Sequence, residues 1–113
     1  MRAQIRKRLS DALTEARFAH ELVGERAADA IAHDPVARRA LERACEIVGE
    51  ALRAAIESEP GIVADYPDIP WKKAIGLRTR LAHAYDRVDI AFLTDAARNA
   101  FPDLITKWEK VLA

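Results

Sequence analysis

Ile5, Leu9, Ala12, Ala16, Ala19 and Val23 recur at steps of three and four residues. That spacing gathers apolar side chains into one stripe on an α-helix. It predicts a long first helix over residues 2–33, closed by Asp34-Pro35. There the Asp can cap the next helix, and the Pro is tolerated in that helix's first turn. A second stripe, Ala37, Leu41, Ala44, Val48, Leu52 and Ala55, predicts a second helix over residues 35–57. Both stripes are rich in alanine, so the two backbones can approach closely. Neither stripe can be buried by its own helix, which predicts an antiparallel pair.

Glu59-Pro60-Gly61 ends the second helix, and Pro60, Pro67 and Pro70 predict an extended loop after it, because a proline biases the residue before it away from helix. Pro70 suits the first turn of a third helix over residues 70–87. Asp89 can cap a short fourth helix to about residue 100, and Pro102 starts a fifth that ends near Leu112. The chain shows no β-strand alternation, internal repeat or low-complexity segment. The pattern therefore predicts an all-α bundle of about five helices, two long antiparallel ones plus shorter ones.

At 113 residues, 50% hydrophobic and 32% charged, the chain has the size and composition of one soluble globular domain. No stretch approaches the roughly 18 uncharged apolar residues of a membrane span. The basic start, Met1 to Leu9, has no long apolar run behind it, unlike a secretory signal. A cytoplasmic protein without membrane contact is expected. The single cysteine, Cys45, cannot form an internal disulfide and is read as a buried thiol packing as a small hydrophobe.

The net charge is zero, which argues against a general polyanion binder. Its distribution changes that picture. Between Trp71 and Arg87, Lys72, Lys73, Arg78, Arg80 and Arg87 face one acid, Asp86, so this segment carries +4 and the remainder −4. A local positive patch on a neutral chain suits a specific phosphate-bearing ligand, although a solvated helix face has the same composition.

The chemistry-bearing string is Gly76-Leu77-Arg78-Thr79-Arg80-Leu81-Ala82-His83-Ala84-Tyr85. On a helix, Arg78 and Tyr85 share a face to within about 20°. Thr79 and His83, four apart, share a neighbouring face, and Leu77, Leu81 and Val88 form a separate apolar stripe. Histidine titrates near neutrality and can exchange a proton with a hydroxyl. Arginine offers a planar fork of donors that fits a phosphate. Together they suit cleavage of RNA through its own 2′-hydroxyl, which leaves a 2′,3′-cyclic phosphate. One His can serve only one proton-transfer role at a time, and a symmetric dimer would supply a second. By spacing alone the same residues also read as a surface Arg and a packing His.

His20 and His33 stand apart on the first helix without ligand spacing, so they are read as surface or packing residues. No metal and no cofactor is expected. Gly76 is read as a close-packing or flexible point. No phosphate-binding glycine loop, dinucleotide fingerprint or nucleophilic Ser or Cys at a recognisable spacing from a His is present.

Arg78-x4-His83-x-Tyr85 resembles the Arg-x4-His-x-Tyr motif of HepT-like toxins, a branch of the HEPN superfamily. The lead-in Tyr66-Pro67-Asp68-Ile69-Pro70-Trp71, the second-helix segment Glu46-Ile47-Val48-Gly49-Glu50-Ala51 and the turn Val88-Asp89 resemble that family too. The ordered set spans roughly residues 36–104. Thr79 stands where the family often has Asn, and Ala84 where it often has Gly. Thr79 can still hydrogen-bond on the His83 face, while Ala84 narrows the space beside the helix.

The resemblance implies a HEPN-like helical bundle over residues 1–113 as one domain, commonly dimeric, with the motifs meeting at a cleft between protomers. It implies a metal-independent endoribonuclease toxin acting on RNA, with an MntA-type nucleotidyltransferase antitoxin as partner. That partner transfers AMP to the motif tyrosine, here Tyr85, placing negative phosphate beside Arg78 and His83. His83 is then the general base or acid, and Arg78 stabilises the phosphorane. Arg80 either binds substrate phosphate or lies on a solvated face. Glu46 and Glu50, four apart on the second helix, either orient Arg78 or tune His83, or are helix-surface acids. Trp71 and Trp108 are read as core or dimer-seam residues rather than base-stacking platforms. Two rival readings are a non-catalytic helical adaptor that dimerises and holds a nucleotidyltransferase, and a small-molecule nucleotide-binding helical domain.

Overall fold

The computed structural model describes residues 1–83 and 89–113, and the side chains of 1–77 and 89–113. Every regular element among them is helical: α1 (Ala3–Val23), α2 (Ala28–Ala32), α3 (Pro35–Ser58), α4 (Ile62–Asp65), α5 (Trp71–His83), α6 (Ile90–Asp95), a π-helical turn (Ala96–Ala100) and α7 (Phe101–Leu112).

α1 and α3 form the predicted antiparallel pair. At one end the backbone N–H of Arg2 donates to Glu59 Oε1 at 2.7 Å, joining the start of α1 to the end of α3. All twelve residues of the two predicted stripes are buried, and Leu13, Cys45 and Ala51 join them. Burial pushes the Cys45 thiol up to about 12, because a thiolate there would be charged in an apolar surround. α5 packs on α3 and α7 on α1. Phe101, Leu104 and Trp108, at steps of three and four, form the buried face of α7.

The first helix is shorter than its pattern predicts. It ends at Val23, and Gly24 follows with φ +46°, in the left-handed region that glycine enters without steric cost. The break is held from across the molecule. Arg98, in the π-helical turn, donates through Nε to the carbonyl of Gly24 at 2.9 Å and through a terminal nitrogen to that of Arg26. His20 Nδ1 lies 2.9 Å from the carbonyl oxygen of Ala97. The periodicity of α1 does not register these contacts, which come from more than seventy residues away in the chain. The proline-rich loop also departs from the extended form expected: Ile62 to Asp65 make one helical turn, with Ile62 buried.

Asp34 caps α3, its Oδ1 accepting from the backbone N–H of Ala37 at 3.2 Å, and its Oδ2 accepts from Arg26 at 3.0 Å. The Ala37 bond first, then the Arg26 guanidinium, lower the pKa of this carboxyl from its usual value. A carboxyl depressed in the folded state contributes stability that is fully present above its unfolded pKa. That stability is lost as pH falls through the folded pKa. Asp34→Asn is therefore expected to make acid unfolding less steep below about pH 4. Urea midpoints measured from pH 6 to pH 2 check it; equal acid limbs for both proteins would contradict it.

Candidate functional site

The lead-in to α5 is fixed by a chain of short-range bonds. The Tyr66 N–H donates to the Ile62 carbonyl at 3.0 Å, and the Ile69 N–H to that of Tyr66 at 3.3 Å. The Trp71 indole Nε1–H donates to the same Tyr66 carbonyl at 3.0 Å. Trp71 is only 4% exposed and Ile69 is buried beside it. Two buried side chains and a doubly used carbonyl thus set where α5 begins. Ala74 and Leu77 are also buried, and α5 packs against α3.

The candidate residues follow on that helix. Arg78, Thr79, Arg80 and His83 belong to α5 by backbone. Their side chains, and those of Leu81 and Val88, lie outside the described residues, as does Tyr85 altogether. Lys72 and Lys73, one turn and more upstream, are exposed and make no ion pair among the described residues.

Glu46 and Glu50 sit on α3 at the edge of a charged groove shared with α1, whose Arg8, Asp11 and Glu15 form the other wall. Glu46 pairs with Arg43 at 3.3 Å and Glu50 with Arg53 at 3.6 Å. Trp108 is fully buried, so neither tryptophan presents a face on which a base could stack. His20 contacts the Ala97 carbonyl, and His33 the Asp29 carbonyl at 2.8 Å on its own turn of chain. Among the described residues no group of three or more His, Cys, Asp or Glu side chains could hold a metal ion.

One feature beside α5 has no counterpart in the pattern of motifs. A groove of about 740 Å³ runs between the first half of α5, α6, the π-helical turn and the start of α7. Its wall includes Gly76, and a Cβ placed there would meet nothing within 4 Å among the described residues. Among the described residues, then, nothing packs closely on Gly76, which is half-buried. A glycine inside a helix costs stability relative to alanine, a signal that the sequence pattern alone does not connect to a groove.

Residues 12–111 match the family model described as Ribonuclease HepT-like. A Methanocaldococcus jannaschii protein with a provisional RNase name is 26% identical over 108 residues, covering 96% of this chain and 87% of that one. A Caldanaerobacter subterraneus protein with a provisional RNase name is 28% identical over 104 residues, 92% of this chain and 90% of the relative. A Thermococcus cleftensis protein provisionally named ribonuclease HepT is 35% identical over 72 residues, 64% of this chain and 63% of that relative, just under two thirds of its length. No solved structure gives a significant match. No helix among the described residues is long and apolar enough to cross a membrane.

Proposed function

We propose that this chain, which belongs to the HepT-like ribonuclease family, is a metal-independent endoribonuclease toxin that cuts RNA with His83 and Arg78. The observation that carries the reading is the family match over residues 12–111, which contains the whole Arg78-x4-His83-x-Tyr85 motif. The ordered start of α5 supports it, because a helix begun at a fixed point holds its later residues in fixed register.

In the proposed reaction the 2′-hydroxyl oxygen of one nucleotide attacks the adjacent phosphorus. The bond from phosphorus to the 5′-oxygen of the next nucleotide breaks. The products are a 2′,3′-cyclic phosphate and a free 5′-hydroxyl. His83 takes the proton from the attacking hydroxyl or gives one to the leaving oxygen. The Arg78 guanidinium meets the negative charge that builds on the phosphorane oxygens. A homodimer supplies a second His83 for the other proton transfer. Arg80 and Thr79 on the same helix contribute to holding substrate, and Glu46 and Glu50 act at most as supporting charges. Residues 1–113 form one domain that works in the cytoplasm.

Control falls to an MntA-type nucleotidyltransferase antitoxin that transfers AMP to Tyr85. The added phosphate competes with RNA for the cationic site. Tyr85→Phe is expected to keep RNA cleavage and to accept no AMP from such a partner, as read by intact mass. Modification persisting in that variant would move the acceptor elsewhere.

The test of the whole reading is cleavage of cellular RNA by the unmodified protein in EDTA, with the ends analysed. Cyclic-phosphate ends formed in EDTA are expected. No cleavage across several RNAs would make the chain a non-catalytic helical partner of a nucleotidyltransferase.

A further inference from the structure

We propose that the groove between α5, α6 and α7 is a nucleotide subsite, which takes a base of single-stranded RNA next to the phosphate being cut. The inference rests on the ribonuclease reading and adds where the substrate lies and which base it prefers.

The size and chemistry of the groove fit such a guest. At about 740 Å³ it falls in the range of small-ligand sites, about 300–1,000 Å³. Leu77, Phe92 and Leu104 give it apolar walls, on which the flat face of any base can lie. Polar groups stand at its border. Lys72 and Lys73 line it and are exposed, and neither ammonium has an ion-pair partner among the described residues. Asp95 lines it too, with Oδ1 accepting from Asn99 Nδ2 at 2.7 Å. Its other oxygen can accept from the exocyclic amino group of adenine, cytosine or guanine, which uracil lacks.

Position ties the groove to the chemistry. Among the described residues its α5 wall includes Leu77, the residue before Arg78. From Gly76 to His83 the helix rises about 10 Å, so a strand crossing α5 can reach both. The charges also discriminate between occupants. Lysine is depleted from protein–protein interfaces, whereas two adjacent unpaired lysines complement the phosphates of a nucleic acid. Among the described residues, the open space at Gly76 keeps the wall flat where a side chain would intrude.

The test is binding of a fluorescein-labelled single-stranded RNA to the full-length His83→Ala protein, which prevents turnover, with three changes added separately. Gly76→Leu fills the groove and favours the helix; it is expected to weaken binding about five- to hundredfold, the loss of one stacked base. Gly76→Ala, which adds one methyl group, is expected to stay within about threefold of its parent, a small loss on that same scale. Lys72→Ala with Lys73→Ala is expected to reduce the salt dependence of binding by about one to two ions. Asp95→Asn is expected to reduce a preference for oligo(A) or oligo(C) over oligo(U). Unchanged RNA affinity in both Gly76→Leu and the lysine pair would overturn the proposal. So would a Gly76→Leu protein whose oligomeric state shifts while its RNA affinity holds, which would assign the groove to a second copy. Cleavage by the protein with His83 intact is measured alongside. Groove-dependent binding without cleavage sinks the ribonuclease reading alone, and cleavage with groove-independent binding sinks this inference alone.

Discussion

His83→Ala is expected to lower RNA turnover by about 10²- to 10⁴-fold, the usual contribution of one positioned proton-transfer group. The physical ground is the proton inventory. The 2′-hydroxyl is a poor nucleophile until it loses its proton, and the 5′-oxygen is a poor leaving group until it gains one. An imidazole is the side chain that holds both forms in quantity near neutral pH. RNA affinity should change far less, because the proposed reaction assigns the phosphate contacts to the arginines and lysines. Turnover under saturating RNA, paired with a binding isotherm, separates the two effects. A His83→Ala protein that cleaves as fast as its parent, free of contaminating nuclease, would remove His83 from the mechanism. Loss of binding in step with loss of turnover would make it a substrate-holding residue instead.

Trp108→Ala is expected to cost about 3–5 kcal/mol of folding stability. That is a large share of the roughly 5–15 kcal/mol available to a domain of this kind. Trp108 is fully buried and, with Phe101 and Leu104, forms the face by which α7 closes the core. Removing the indole leaves a cavity that the surrounding helices cannot fully fill. Its Nε1–H finds no acceptor among the described residues, so part of the burial energy is already offset by an unsatisfied donor. Trp108→Phe, which keeps a ring and discards that donor, should therefore cost clearly less than the alanine change. Urea unfolding monitored by circular dichroism reads both, with the midpoint falling and the slope unchanged. Equal losses for Phe and Ala would show that the shape of the indole, and not its volume, holds α7.

Several features of this protein were determined by the sequence by itself. The two apolar stripes specify α1 and α3, because a period near 3.6 is a property of neighbouring residues and survives without knowledge of the rest of the chain. The Asp34-Pro35 start of α3 and the Asp89 cap of α6, whose Oδ1 accepts from the Phe92 N–H at 2.9 Å, are local for the same reason. The motif Arg78-x4-His83-x-Tyr85 is equally local, and its resemblance to a known family, rather than its spacing, is what attached a chemistry to it.

Tertiary structure decided what depends on residues distant in the chain. The end of α1 at Gly24 is set by a guanidinium from residue 98 as much as by glycine itself. The role of the lead-in proline segment is settled by one indole bond from Trp71 back to Tyr66, which a loop pattern cannot announce. The groove is lined jointly by α5, α6, the π-helical turn and α7, residues that lie up to about thirty positions apart in the chain. Periodicity assigns each helix a buried side, but only packing determines which part of that side is left without a neighbour, and that uncovered part is where a ligand can enter.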